Sequence, residues 1–264
     1  MNYLYGIVLG VLLMLGQVMQ QPIVDTASGG LNPCLVSAWA MNEGSGSTFN
    51  SFPGTPSNTA TIGGGAVTWT ANAIKSGVTS PVWTGSGGGA EATSTTLTNF
   101  SNTQAFSVSI WVNFADNNEI SFMNTLNATG GTYQGWELEK QPSTSSQAND
   151  LTAFLFNNYG SANYIQVSIN TTISNSTLHY LVMTYSGSGT AAGVKLYVDG
   201  VQGTNIVVQD SLSATIASGI PVWFAVRNDG TDPYNAASGY AEAYNCAITA
   251  GQISTYYAQG PGIY

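Results

Sequence analysis

Charge is what this chain lacks most. Its 264 residues include four cations (Lys75, Lys140, Lys195 and Arg227) and 13 acids, so charged side chains make up 6% where about 25% is usual. Four cations cannot neutralise a run of phosphates, which excludes a nucleic-acid partner. An anionic membrane surface is disfavoured for the same reason. There is a single histidine, His179, and there are two cysteines, Cys34 and Cys246. With no CxxC and no Cys/His cluster, a structural zinc has no ligand set. The glycine runs Gly63–Gly65 and Gly85–Gly89 neither open a helix nor carry a following Lys, so they read as loops rather than phosphate cradles.

What is present points to dense β-structure. Apolar residues reach 43%, too many for a disordered chain, while Ser, Thr, Asn and Gly carry the solubility. The length fits one or two domains, and all-β sandwiches of roughly 200–250 residues are commonly single domains. Residues 1–32 stand apart. Tyr3–Met19 is uncharged and apolar, followed by a polar Pro/Gly linker. It is short for a membrane span and lacks the basic n-region of a signal peptide. Three readings stay open: a membrane anchor, a cleaved signal, or an apolar helix that packs into an assembly.

From residue 33 to 264, short β-type runs alternate with Gly/Ser/Thr/Asn loops, the rhythm of a sandwich. Phe106–Phe114 puts Phe106, Val108, Ile110, Val112 and Phe114 on one face, a period-two strand whose apolar side must be core. His179–Tyr185 aligns His179 with Leu181 and Met183, which favours packing over catalysis for the histidine. Val194–Val198 ends in Asp199-Gly200 and resumes at Val201, a strong hairpin signal. Pro221–Arg227 gives a further strand with Val222, Phe224 and Val226 inward. Thr249-Ala-Gly-Gln252 is a capping box, and Gly260-Pro261 ends the short helix it starts.

Several of these segments resemble the laminin-G-like, concanavalin-A-like lectin/glucanase superfamily. Leu35–Gly46 is similar to its opening strand and turn, Phe106–Phe114 to its central strand, and His179–Gly187 with Lys195–Gly200 to its most recognisable strand pair. Ala243–Ile253 is similar to its closing strand and terminal helix. The resemblance implies a two-sheet antiparallel jelly roll with first and last strands adjacent. That adjacency would bring Cys34 and Cys246 together; otherwise they are two buried thiols. Where the family often carries aspartates for a calcium shared by the termini, Asn50 or Ser51 and about Gly239 stand here.

The resemblance also implies surface recognition of a glycan or another surface polymer, outside the cell, on its surface or on a virion. Sugar platforms are expected from aromatic residues in or beside loops: Tyr133, Trp136, Tyr159, Tyr164 and Tyr234. Calcium, if a cofactor is used, would take the oxygen-rich loops Asp229–Asp232 and Asp116–Glu119, although Asx residues favour such turns without metal. Hydrolytic relatives use paired carboxylates. Glu137 and Glu139 share a face, but no third acid follows, and they read as polar residues of a solvent-facing strand. A non-enzymatic lectin-like module is therefore expected, as a homo-oligomer. The alternative is a virion or surface-layer component docked through residues 1–32.

Overall fold

The computed structural model describes residues 31–264 apart from 54–56, 65–66, 86, 116 and 234. The apolar N-terminal helix expected within 1–32 lies outside the described residues. The early strands are β1 (Leu35–Trp39), β2 (Thr48–Phe49), β3 (Ser51–Phe52), β4 (Ala60–Gly63), β5 (Val67–Ala71), β6 (Thr79–Thr84) and β7 (Gly89–Ala92). The middle of the chain forms β8 (Phe106–Phe114), β9 (Ile120–Asn124), β10 (Gly135–Lys140), β11 (Asp150–Asn158), β12 (Asn163–Thr172) and β13 (Leu178–Tyr185). Then come β14 (Val194–Val198), β15 (Val201–Gln202), β16 (Asn205–Asp210), β17 (Trp223–Phe224), β18 (Asn235–Tyr244) and helix α1 (Ala250–Gln259).

These strands make two antiparallel sheets. The front sheet runs β15-β14-β13-β8-β18-β1-β3, with β6 also on β18 and β5 on β6. The back sheet runs β16-β12-β11-β10-β9-β17-β7-β4-β2. Alternation decides which side chains meet between them. From the front come Phe106, Val108, Ile110, Leu181, Met183 and Leu196; from the back come Phe122, Trp136, Leu138, Leu155, Ile165 and Val167. Each is buried, and fully burying such a side chain is worth roughly 1.5–3 kcal/mol.

The expected sandwich and terminal helix are thus present, with two refinements. The second face of β8 is buried as well, because α1 and the C-terminal tail cover it: Trp111, Tyr180, Tyr244, Ile253, Tyr256 and Tyr264 form a second cluster there. Within Pro221–Arg227 only Trp223–Phe224 is a strand. Val222 and Phe224 join the core between the sheets as expected, but Ala225 takes a left-handed φ of 68° and joins them, while Val226 is buried outside that cluster. The capping box is formed, with Thr249 accepting from the Gln252 backbone. Asp199 and Gly200 both have positive φ, as the hairpin from β14 to β15 requires. β1 pairs with β18, Leu35 opposite Tyr244, and Cys34 and Cys246 are joined by a disulfide across a Cα–Cα distance of 5.8 Å.

Candidate functional site

The outer face of the back sheet carries the site. In β10 the inward residues are Trp136, Leu138 and Lys140, so Gly135, Glu137 and Glu139 take the opposite side. Register sets Glu137 beside Phe154 of β11, and Phe154 beside Gln166 of β12. Gly135 makes this geometry possible. It sits at φ 140°, and a Cβ there would lie 2.4 Å from the Thr125 carbonyl oxygen, closer than any other residue type tolerates.

Glu137 and Glu139 have fully buried side chains; the expectation that they face solvent is corrected. Arg227 is the reason. Its Nε donates to Glu137 Oε1 at 2.8 Å, and its Nη2 reaches Glu137 Oε2 at 2.8 Å and Glu139 Oε2 at 2.7 Å. The same Nη2 touches Glu119 at 3.2 Å, and Nη1 is paired with Asp232. Gln141 donates its amide to Glu139. The arginine is presented by a tight loop: its N–H donates to the Thr231 carbonyl, and Asp229 accepts from the Thr231 N–H and hydroxyl. Such an Asx turn needs no metal.

One guanidinium among four carboxylates leaves an acidic surplus. Burial raises the Glu139 pKa well above the usual carboxylate range, and the Glu137 charge adds to it. Burial likewise raises Asp232, to about 6, because Arg227 is shared among four acids and the remaining charges work against it. On Arg227 itself burial pulls downward, but Glu137, Glu139 and Asp232 outweigh it and the pKa rises. The guanidinium therefore stays charged and supplies the positive centre that a bound cation would provide elsewhere.

Beside this cluster opens a groove of about 300 Å3, lined by Glu119, Tyr133, Gln141, Phe154, Phe156, Tyr159, Gln166 and Arg227. Its wall is aromatic. Phe154 stacks on Phe156 at 4.8 Å, Tyr159 meets Tyr133 at 5.7 Å and Phe156 at 5.9 Å, and the Tyr133 ring lies 5.8 Å from the Arg227 guanidinium carbon. Tyr159 is about half exposed, which leaves a ring available for stacking.

Of the aromatic residues singled out by sequence, Tyr133 and Tyr159 line the groove, and Tyr164 packs 5.5 Å from Tyr159 at its edge. Trp136 is not brought there: strand parity turns it into the core, where its ring N–H donates to the Thr98 carbonyl. Tyr234 lies outside the described residues. Among the oxygen-rich loops, Glu119 and Asp232 converge on Arg227, Asp229 closes its own turn, and Asp116 lies outside the described residues. Among the described residues, no group of three or more His, Cys, Asp or Glu is arranged to hold a metal. Sequence reasoning missed Phe154, Phe156, Gln141, Gln166 and Arg227. Their trace was Asp150–Asn158 itself, which is apolar on both parities through Leu151, Ala153, Phe154, Leu155 and Phe156.

His179 packs as expected and is also tied down. Its Nδ1 is 2.8 Å from Asp199, its Nε2 is 3.1 Å from the Ser174 hydroxyl, and Asp199 accepts the Tyr180 backbone N–H. The histidine thereby pins the β14–β15 turn to β13.

The binding domain of the paraclostridial mosquitocidal protein 1 superposes with TM-score 0.61 at 14% identity, covering 85% of this chain and 52% of that one. Domain 4 of an extracellular arabinanase from Geobacillus stearothermophilus, solved with arabinotriose, gives 0.59 at 18%, covering 84% and 97%. The botulinum neurotoxin serotype G binding domain gives 0.57 at 14%, covering 85% and 51%. The chain thus spans about half the length of the toxin domains, and at these identities the likeness concerns the fold. No curated sequence matches the chain. The family model of the concanavalin A-like lectin/glucanases superfamily matches residues 84–254, and this chain belongs to that superfamily.

Proposed function

We propose that the chain is a non-enzymatic glycan-binding module that works outside the cell. The observation that carries this is the groove on the back sheet, where aromatic rings stand beside amides. Tyr159 offers a face for the C–H side of a sugar ring, backed by the buried Phe156, and Gln141, Gln166 and Glu119 offer hydrogen-bonding groups. This combination of apolar wall and few polar anchors is what small-ligand sites use. The arabinanase domain, solved with arabinotriose, presents the same fold.

Hydrolysis is disfavoured by the state of the acids. A glycosidase needs two carboxyl groups facing the scissile bond, one as acid and one as nucleophile or base. Glu137 and Glu139 are buried and held by Arg227, with neither turned to a substrate. The disulfide suits an oxidising, extracellular setting. The alternative of docking through residues 1–32 rests on a segment outside the described residues.

The test is a glycan array followed by calorimetric titration of the best ligand, with Tyr159→Ala as control. Stacking partners of this kind contribute about 0.5–1.5 kcal/mol, so the variant should bind roughly two- to tenfold more weakly while unfolding at the same urea concentration. Binding no better than that of a heat-denatured sample, or undiminished in Tyr159→Ala, would refute the groove as a sugar site.

A further inference from the structure

Two charged residues line the groove, Glu119 and Arg227, and acids outnumber the cation around them. Glu119, Glu137, Glu139 and Asp232 surround Arg227, the single cation of the lining, and each of its three nitrogens already donates to a carboxylate. Its side chain is only 12% exposed, whereas Glu119, at the mouth, is 36% exposed. An anionic sugar is normally gripped by a guanidinium or ammonium group. Here such a grip would require the sugar carboxylate to displace one of the four acids already on the guanidinium: Glu119 or Asp232 on its partly exposed side, or Glu137 or Glu139 in the buried interior. The remaining lining has the opposite character: aromatic faces, the amides of Gln141 and Gln166, and a Glu119 carboxylate that accepts hydroxyl protons.

We infer that the groove selects uncharged glycans and turns away anionic ones, such as uronates and sialylated or sulfated sugars. The inference rests on the reading of the groove as a sugar site and adds the substrate class. Rejection comes from charge and takes effect as a ligand approaches Glu119, so it is strongest at low salt, where the Debye length is long. Like-charge juxtaposition suppresses wrong partners in just this way.

The experiment uses the full chain with paired probes that differ by esterification of the carboxylate: the methyl ester of sialyllactose against sialyllactose, and methyl-esterified against free oligogalacturonate, beside a broad array of neutral and anionic glycans. For every bound glycan the anionic counterpart should bind at least about tenfold more weakly, a gap of roughly 1.4 kcal/mol. The gap should narrow as salt rises. Glu119→Gln removes one charge at the rim without exposing the core, and it should narrow the gap several-fold at low salt. If a neutral glycan binds and its anionic partner binds as tightly, the charge inference falls while the sugar site stands. If nothing on the array binds, or binding ignores Tyr159→Ala, the sugar site falls and the inference with it.

Discussion

The two sheets each bury acid on their outer side, and they treat it differently. On the back sheet Glu137 and Glu139 are sealed in with Arg227. On the front sheet Glu242 is sealed beneath the C-terminal tail, fully buried, accepting from the Ser109 hydroxyl at 2.9 Å and from the Tyr264 N–H at 2.7 Å. Among the described residues no cation pairs with it. Burial pushes its pKa up to about 8, against hydrogen bonds that pull the other way. Burial also raises the surrounding tyrosines, with Glu242 adding to the shift on Tyr180, Tyr244 and Tyr264. A chain with so few charges has thus placed one of its four cations inside the acidic cluster of the back sheet, and leaves Glu242 to be kept by a proton.

The comparison breaks first at Arg227. Arg227→Met keeps most of the side-chain volume but leaves Glu137 and Glu139 buried without their counter-charge. Removing one member of such a group destabilises by about 3–5 kcal/mol, measured as the loss in urea unfolding free energy. Adding Glu137→Gln and Glu139→Gln should recover much of it. A single variant within about 1 kcal/mol of wild type would show that the buried carboxylates do not depend on the arginine.

The next effect falls on the front side, where the disulfide closes the sandwich beside the tyrosine cluster. Cys34 and Cys246 are 212 positions apart, and Cys34→Ser with Cys246→Ser should lower stability by about 2–5 kcal/mol. Hydrogen exchange sharpens the point. Protection should drop in β1, β18 and α1 first, and β9–β10 beside Arg227 should lose it last. Uniform loss would mean that the two regions open as one unit.

Glu242 gives the contrast its pH signature. Its folded pKa of about 8 exceeds the ordinary 4.5, so the native state holds a proton that the unfolded chain releases. Its contribution is therefore fully present below about pH 4.5 and is lost as pH rises to about 8. Full realisation of such a shift would amount to a few kcal/mol. Glu242→Gln should flatten this slope and be the more stable protein at pH 8.5. Its oxygen can take the Tyr264 N–H while the Ser109 hydroxyl turns to accept. Parallel slopes for variant and wild type would rule the proton out.

How much of this could be read beforehand follows from the range of each interaction. The alternation in Phe106–Phe114, the Asp199-Gly200 turn and the Thr249/Gln252 cap are local, and the sequence pattern alone specifies them. The Arg227 cluster is not local: β10 and the arginine loop lie some 90 residues apart, and nothing in Trp136–Lys140 says that a distant loop will deliver a guanidinium. Trp136, expected in or beside a loop, lies within β10 and its parity turns it into the core, since one position along a strand exchanges its faces. The aromatic surplus of β11 was the readable clue, because a strand apolar on both faces needs either a second covering layer or a ligand.

The smallest effect expected is from calcium, and it bears directly on what Arg227 does. A calcium site occupied at a hundredfold its Kd would add about 2.7 kcal/mol to stability, or roughly 5–10 °C in Tm for a domain of this size. Glu119 and Asp232, which such an ion would need, are instead paired with the guanidinium. Asp229 is turned to Thr231. Melting in millimolar calcium and in chelator should therefore agree to within about 1 °C, well below the shift that a filled site would give. In Arg227→Met the same acids lose their cation, and calcium should then raise Tm if the positive charge is what the cluster requires. A rescued variant beside an indifferent wild type would show that the arginine stands where a metal could. A calcium response in the wild type would mean that the four acids recruit an ion despite it.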